Sequence, residues 1–392
     1  MTEIAADHGL PPWTYWDEDF HALEREKVFA PSWQIVCHES DIAGRGRYAT
    51  LAFMGDLVMV VRADNGRLNA FRNVCRHRAA RLLDEPFGQC GARIVCPYHA
   101  WTYDLDGRLI GVPERSGYEP IDPKSLSLAP LDVRTCGGFI FVRMNEEGQS
   151  FEEFSEPFAA EFERYRTAEM KALGRITLRE RAVNWKVATD NYVDKLHLPV
   201  AHEGLNSLVA ASYKLAVAPG GAYRIASEAA ARAGQGPSVR AYLKFLPEVD
   251  HLPQDRRRHW VYLKLWPNLA FDIYPDQIDF MQFVPLSATR TMLREISYAL
   301  PDARREMRAS RYLNWRINRI VNVEDKDLIE RVQAGYETAR HSGGYAPGPI
   351  SRDEICLRDF AERLKRALPI AREAARPSRE GFDKTRAGAV SP

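Results

Sequence analysis

Two short segments of the chain combine cysteine and histidine at a spacing that suits metal coordination. The first holds Cys75 and His77, and the second, 18 residues further on, holds Cys96 and His99. Two thiolates and two imidazoles satisfy a tetrahedral zinc ion. They also satisfy a [2Fe–2S] cluster in which two cysteines hold one iron and two histidines hold the other.

The order of these four residues favours the iron–sulfur interpretation. Zinc fingers usually take both cysteines from one element and both histidines from another, whereas here each segment supplies one of each. That order lets each loop reach both irons, and Pro97 stiffens the second loop. The alternative is that the four are buried cysteines and core histidines, close in sequence without a shared role. Cys90 lies between the segments and breaks the pairing, so we interpret it as a structural thiol.

A second group of potential ligands lies in "NWKVATDNYVDKLHLPVAH". On a helix Asp190, Asp194 and His197 are predicted to share one face, because they are four and then three residues apart. His202 is about 140° further round an ideal helix. Pro199 is expected to break the helix and let His202 return toward His197. Two histidines and a carboxylate make the facial triad of a mononuclear Fe(II) site, and a solvated acidic helix face is the alternative.

The third ligand of such a triad must come from a distant element. The segment "NRIVNVEDKDLIERVQAG" crowds three carboxylates on a helix with apolar periodicity: Glu324, Asp325 and Asp327. The pattern by itself does not rank them.

The elements around these groups indicate an α+β protein with two domains. Residues 37–150 consist of short strands with hairpin turns at Asn65-Gly66 and Asp106-Gly107, which predicts a small all-β domain. Residues 151–392 are predicted to form a second domain, and residues 1–36 a helical arm that packs on it.

Within the second domain, residues 255–300 alternate as an antiparallel sheet does, and a long helix is predicted from about residue 302 to residue 339. These elements predict an antiparallel sheet covered by helices.

Composition excludes several classes of function. The chain has 392 residues and a formal net charge of +1, which carries no sign of a nucleic-acid or membrane partner. The N-terminus lacks the basic and apolar regions of a signal peptide, and no apolar run approaches the roughly 18 residues of a membrane span. Six cysteines in a chain of this size do not indicate a disulfide framework. We therefore expect a cytoplasmic protein.

Together the motifs resemble the terminal oxygenase α subunit of the Rieske non-haem iron oxygenases, over nearly the whole chain. The resemblance rests on Cys-x-His…Cys-x-x-His, on "NWKxxxDNYxDxxHxPxxH" and on "EDKDLIERVQAG". The form "DNYVDKLHLPVAH" is most similar to the α-only branch that includes choline monooxygenase. The resemblance implies a small all-β Rieske domain and a helix-covered antiparallel-sheet catalytic domain.

The resemblance also implies roles for individual residues. The [2Fe–2S] ligands would be Cys75, His77, Cys96 and His99. The Fe(II) ligands would be His197, His202 and Asp325. Asp194 would bridge His197 to the cluster ligand His99 of a neighbouring subunit, which implies a homotrimer with one cluster and one Fe(II) in each subunit. Electrons would come from an NAD(P)H-dependent reductase, directly or through a ferredoxin.

The chain departs from the family pattern at the cluster loops. Ala79 and Ala100 occupy positions where the family usually has glycine, and Leu196 stands where an aromatic residue is more typical. We expect the two added methyl groups to alter packing near the loops and to leave the ligands intact.

For the substrate, the first expectation is an aromatic compound or aromatic acid that is hydroxylated or demethylated with O2. The alternative is a quaternary ammonium compound, for which Trp266, Tyr274 and Phe280 would form an aromatic cage unless they are core positions of the sheet. The basic run Arg256–Arg258 either attracts a carboxylate substrate or an acidic electron donor, or forms a solvated loop. Outside the class, a Rieske electron carrier would need only the first ligand group, and a zinc-stabilised binding module would need no redox chemistry.

Overall fold

The computed structural model describes residues 9–209, 213–230, 234–342 and 348–386, so residues 1–8 of the predicted arm lie outside it. The helices are α1 Glu18–Glu24, α2 Phe151–Arg164, α3 Trp185–Val193, α4 Leu198–Ala201, α5 Glu203–Val209, α6 Pro237–Phe245, α7 Arg305–Ser342, α8 Ile355–Ala367 and α9 Arg379–Arg386. The first ten strands are β1 Gln34–His38, β2 Arg47–Phe53, β3 Asp56–Arg62, β4 Leu68–Arg72, β5 Phe87–Gln89, β6 Arg93–Val95, β7 Thr102–Asp104, β8 Leu109–Gly111, β9 Pro130–Cys136 and β10 Phe139–Arg143. The others are β11 Lys171–Ala172, β12 Thr177–Arg181, β13 Lys214–Ala218, β14 Ala222–Glu228, β15 His259–Leu265, β16 Leu269–Ile273, β17 Ile278–Ser287 and β18 Arg290–Ala299.

The chain forms two compact units. One comprises Ala30–Ser155 with Ala168–Lys171, and the other comprises the described residues up to Phe29, Glu156–Thr167 and the chain from Ala172 onward. The predicted division after residues 36 and 150 stays a prediction. The β-rich unit begins at Ala30, a few residues before the predicted division after residue 36, and its first strand already begins at Gln34. None of the helices in the described residues combines the length and the apolar character needed to cross a membrane.

The β-rich unit contains a seven-stranded sheet in the order β1-β10-β9-β4-β3-β2-β5 and a three-stranded sheet in the order β6-β7-β8. Both predicted hairpins are present, since β3 pairs antiparallel with β4 and β7 with β8. Gly66 and Gly107 adopt φ values of 80° and 81°, which the turns require and which glycine adopts without strain. A third hairpin, between β2 and β3, turns at Met54 and Gly55 and was not predicted.

The second unit is built on an antiparallel sheet in which β13 to β18 pair in sequence order and β12 pairs with the far side of β18. Its central strands are buried: β16 has five buried residues of five. The predicted sheet and the long helix are therefore confirmed, although α7 runs from Arg305 to Ser342 and so begins and ends about three residues later than predicted. With helices and antiparallel sheets in one chain, the predicted α+β class is confirmed.

The N-terminal segment is tied to the helix that carries part of the site. Helix α1 begins at an N-cap, where the Asp17 carboxylate accepts a hydrogen bond from the Phe20 N–H at 2.8 Å. At its end Glu24 accepts from the Lys186 ammonium at 2.6 Å and from the Trp185 indole at 3.0 Å, both on α3. The Glu24 and Lys186 side chains are fully buried, so their charges compensate each other in place of water.

Candidate metal centres and catalytic pocket

The two Cys/His segments form loops with the same backbone hydrogen bonds. The Cys75 N–H donates to the Ala80 carbonyl at 2.8 Å, and the Ala79 N–H donates to the Cys75 carbonyl at 3.1 Å. The loop that starts at Cys96 repeats both bonds at the same two distances. Both thiols are buried and lie within hydrogen-bonding reach of each other. Burial raises the pKa of the Cys75 thiol, and a hydrogen bond with Tyr103 opposes that shift.

The imidazoles of the two loops also come together. The ring centroids of His77 and His99 are 4.7 Å apart, and Trp101 stacks on His77 at 4.8 Å. The Nδ1 atom of His77 is buried and meets no hydrogen-bond partner among the described residues. A buried polar atom of this kind normally has a partner, so the orphaned nitrogen fits a position that a metal ion would fill. Partial burial, the charge of His99 and that of Arg78 lower the pKa of His77, which keeps the ring in the neutral form that binds metals.

One supporting residue of these loops, Tyr103, escaped the sequence analysis. The Tyr103 hydroxyl accepts from the Arg76 N–H at 3.0 Å and lies 3.4 Å from the Cys75 sulfur, so it fixes the first loop. The sequence offered one indication of this role, because Tyr103 lies at an inward position of an alternating strand. The Cys90 thiol donates to the Gly46 carbonyl at 3.3 Å, in keeping with a structural thiol.

The second ligand group is arranged differently from the prediction. Helix α3 ends at Val193, so Asp190, Asp194 and His197 do not share one helix face, and that interpretation was wrong. Asp194 is the C-cap with extended backbone. Pro199 is not the breaker either, because it lies in the first turn of α4, a position that proline favours. The helix breaks at Asp194, five residues before Pro199, and α4 then brings His202 back toward His197.

The Asp194 carboxylate organises this break. Its oxygens accept hydrogen bonds from the backbone N–H groups of Leu196 at 2.7 Å and His197 at 3.1 Å. The same carboxylate lies 2.8 Å from His197 Nδ1. Burial alone would raise the pKa of Asp194, but these hydrogen bonds outweigh it and hold the pKa below its usual value. Asp194 is therefore a charged acceptor for the imidazole N–H.

His202 is held between two carboxylates of α7. Its Nδ1 lies 2.7 Å from Glu324 Oε2, and its Nε2 lies 2.9 Å from Asp325 Oδ1. His197 Nε2 is 3.7 Å from the same Asp325 oxygen. Burial would lower the pKa of His202, but the bonds and charges of Asp325 and Glu324 outweigh it and raise that pKa.

The two histidines and Asp325 could therefore share one ion. Their ligand atoms all lie within 4.8 Å of one another. Donors about 2.1 Å from a common ion lie about 3 Å apart, so a small contraction suffices. Three carboxylates were considered as the third ligand. Asp327 is exposed on α7, and Glu324 contacts Nδ1 of His202, so Asp325 is the one that lies near Nε2 of both histidines. The Asn191 amide, which was not predicted, donates to Asp325 Oδ1 at 2.9 Å and orients it.

Asp190, the first carboxylate of the predicted helix face, belongs to a separate buried network. It accepts a hydrogen bond from the Tyr15 hydroxyl at 3.0 Å. Burial raises the pKa of Asp190 to about 7 and lowers that of Lys264 to about 7, and the two groups interact electrostatically. Asp190 therefore lies outside the metal-ligating group.

A cavity opens beside the triad, and one wall of it is aromatic. Tyr192 meets Tyr262 at 6.4 Å and Phe283 at 5.9 Å between ring centroids, with interplanar angles of 82° and 77°. Tyr192 also donates a short hydrogen bond to Asp272, whose pKa burial raises to about 7. The Tyr262 hydroxyl is buried and has no partner among the described residues.

The side chains proposed for substrate contact from sequence lie elsewhere. Tyr274 and Phe280 are fully buried in the sheet core, and neither they nor Trp266 line the cavity. The alternating-core interpretation is therefore the right one. In the basic run Arg256–Arg258, the first residue pairs with Glu161 at 2.8 Å and the other two donate to backbone carbonyls.

Comparison with known families places this arrangement in a class. The family described as "Ring hydroxylating alpha subunit (catalytic domain)" matches residues 162–370, and the Rieske [2Fe-2S] domain matches residues 32–126. The chain belongs to the ring-hydroxylating α-subunit family. Its Rieske domain is of the [2Fe–2S] type, and its catalytic domain is of the mononuclear-iron type.

Individual relatives are similar over different shares of the chain. The glycine betaine monooxygenase oxygenase subunit of Chromohalobacter salexigens is 36% identical over 53% of this chain, a match that spans only 46% of that protein. The carnitine monooxygenase oxygenase subunit of Acinetobacter baumannii is 29% identical over 82% of this chain and 83% of its own length. A solved structure of a quaternary ammonium Rieske monooxygenase superposes with a TM-score of 0.78 at 24% identity, covering 93% of this chain and 99% of that one, which shows the shared fold.

Proposed function

We propose that the chain is the terminal oxygenase subunit of a Rieske system. It would use O2 and electrons from an NAD(P)H-dependent reductase, with or without a ferredoxin, to oxidise a small quaternary ammonium compound. Two features support this proposal: the pairing of a cluster-type and a triad-type ligand group in one chain, and the family membership.

The proposed cluster ligands are Cys75, His77, Cys96 and His99. The proposed Fe(II) ligands are His197, His202 and Asp325. When bound, the cluster supplies single electrons and the Fe(II) site supplies open positions for O2.

The residues around the triad fix the imidazole tautomers. Asp194 accepts from Nδ1 of His197 and Glu324 accepts from Nδ1 of His202. With an ion bound and Nδ1 protonated in both rings, both Nε2 lone pairs would be directed at the ion, next to the Asp325 carboxylate. The site thus presents two neutral nitrogen donors and one carboxylate on one side and leaves the cavity side open.

One observation supports the substrate class: the cavity has an aromatic wall, and the carboxylate of Asp272 is hydrogen-bonded to Tyr192 of that wall. Tyr192 meets Tyr262 and Phe283 at nearly right angles, and Asp272 lies next to Tyr192. A quaternary ammonium group cannot donate hydrogen bonds, so ring faces and a nearby anion are the features that attract it. The names of the glycine betaine and carnitine relatives favour the same class over the aromatic substrates expected first.

The subunit arrangement is also a proposal. The Asp194 side chain keeps 16% of its surface exposed although it bonds to His197. An exposed edge suits contact with His99 of a neighbouring subunit in a homotrimer. We retain the division into an arm at 1–36, a cluster domain at 37–150 and a catalytic domain at 151–392.

Two measurements test the proposal. Purified protein is expected to show a red-brown colour that dithionite bleaches, with about three irons per chain, since two belong to the cluster and one to the triad. Zinc in place of iron, or about two irons, would contradict an oxygenase. Substrate-dependent O2 uptake with a surrogate reductase is then measured for glycine betaine, carnitine, choline and a set of aromatic acids. Uptake with aromatic acids alone would overturn the quaternary ammonium assignment.

A further inference from the structure

A buried arginine lines the cavity beside the triad and has no acidic partner. Arg181, at the end of β12, is 7% exposed. Its guanidinium donates to the carbonyls of Glu180 at 3.2 Å and of Asn322 at 3.5 Å. No carboxylate in the part of the chain that the structure describes lies within ion-pair distance of it. A guanidinium offers five N–H donors, so most of its capacity remains for a ligand.

The acidic groups whose charges act on Arg181 are Glu330, Asp325 and Glu295, and each of them has another partner. Glu295 lines the same cavity, but Arg179 forms a short ion pair with it. Burial, and then the charge of Arg179, lower the pKa of Arg181, and the charges of Glu330, Asp325 and Glu295 oppose that shift without reversing it. Arginine nevertheless stays charged at neutral pH, so the cavity is lined by a positive charge that makes no ion-pair contact of its own.

The surface beyond this point is also positive. An outer groove shares Glu295, Asn318 and Asn322 with the cavity. Three exposed arginines line it, and none of them forms an ion pair with a carboxylate of the described residues: Arg175, Arg308 and Arg319. An anion approaching through this groove would be attracted toward Arg181.

We propose that Arg181 binds a carboxylate carried by the substrate, so that the substrate is a zwitterion with a quaternary ammonium group at one end and a carboxylate at the other. This inference rests on the proposed function and selects betaine-type compounds over choline-type alcohols. The aromatic wall with Asp272 would receive the cationic end. Arg181 is thereby a residue that determines specificity, since a fork of N–H donors matches the two carboxylate oxygens.

A purely structural role makes a different prediction. The bond to the Asn322 carbonyl could serve only to hold β12 against α7. In that case replacing Arg181 would weaken the binding of every ligand of the cavity by the same factor. A carboxylate anchor affects only ligands that carry a carboxylate, so the ratio between two ligands separates the roles.

The experiment is calorimetric binding to the holoprotein under argon, which needs no turnover. The probes are glycine betaine, γ-butyrobetaine, choline and benzoate. The variants are Arg181→Met and Arg181→Lys, with Arg294→Met as the matched control, because Arg294 is also 7% exposed on the same sheet but does not line the cavity. Far-ultraviolet circular dichroism and iron content show that each variant is folded and loaded.

We expect Arg181→Met to weaken binding of at least one betaine about 100-fold while choline binding changes less than about threefold. Arg181→Lys should fall between, since it keeps the charge and loses the fork. Arg294→Met should leave the betaine-to-choline ratio unchanged. Equal weakening of betaine and choline would overturn the anchor role, and so would wild-type protein that binds choline but no betaine. Binding of benzoate that depends on Arg181, without binding of any ammonium compound, would keep the carboxylate anchor and overturn the proposed function.

Discussion

The cluster loops contain two alanines in a backbone conformation that favours glycine. Ala79 and Ala100 adopt φ values of 56° and 54°, in the left-handed region. Their side chains are exposed, so the expected effect of the extra methyl groups on packing is not found. The consequence lies in the backbone instead. We therefore predict that Ala79→Gly and Ala100→Gly stabilise the β-rich unit.

The magnitude follows from two opposing terms. An alanine in the left-handed region costs about 1–2 kcal/mol, and replacing it by glycine removes that cost. Glycine in turn gives the unfolded chain more freedom, which returns about 0.4–1 kcal/mol. Because the two methyl groups are exposed, little buried apolar area is lost. The net gain is about 0.5–1 kcal/mol for each substitution and about 1–2 kcal/mol for both together.

The assay is thermal bleaching of the cluster absorbance in the holoprotein at one fixed scan rate. A gain of 1–2 kcal/mol in a unit of this size should raise the transition by about 3–6 °C. Ala80→Gly is the matched control, since Ala80 has an ordinary φ and packs against the core of the unit, and it should lower the transition. If the two glycine variants melt at or below the wild-type temperature, the strain attributed to these loops is absent.

Three further predictions concern the proposed iron site and the cavity beside it. Asp194→Asn should keep cluster colour and iron content but lower substrate-dependent O2 uptake by about 10- to 100-fold, because the imidazole loses its charged acceptor; loss of the colour would count against the role. Glu324→Gln should weaken iron binding by about 10- to 100-fold, measured as iron lost to a chelator with cluster absorbance as the reference, whereas unchanged retention would show that His202 needs no orienting anion. Binding of choline should strengthen as the pH rises from 6 to 8, because the Asp272 carboxyl, with its pKa raised to about 7, becomes charged; in Asp272→Asn this dependence should disappear, and its persistence would point to another group.

The parts of the fold that depend on local signals could be predicted from the sequence. The Asn65-Gly66 and Asp106-Gly107 turns both proved to be hairpins because glycine supplies the positive φ at each. The turn at Met54-Gly55 escaped notice because a methionine in the left-handed region has no sequence signature.

Contacts between distant segments were the part that sequence patterns could not rank. The spacing of Glu324, Asp325 and Asp327 on α7 gives each a different direction, but only packing against α3 and α4 decides which of them meets His202. Arg181 had no signal at all, since a basic residue ending a strand is usually solvated and its burial depends on α7.

The break between α3 and α4 brings His197 and His202 together, although the continuous helix that was predicted there does not form. In one continuous helix, positions 197 and 202 point about 140° apart, so no single ion could contact both. The backbone N–H groups of Leu196 and His197 lie at the start of α4, where they have no intrahelical acceptor, and the Asp194 carboxylate accepts both of them. The same carboxylate lies 2.8 Å from Nδ1 of His197, so the residue that follows α3 also favours the Nδ1-protonated tautomer of this proposed iron ligand. Local folding and assembly of the metal site therefore depend on one side chain, and its replacement should affect the orientation of His197 before it affects the fold.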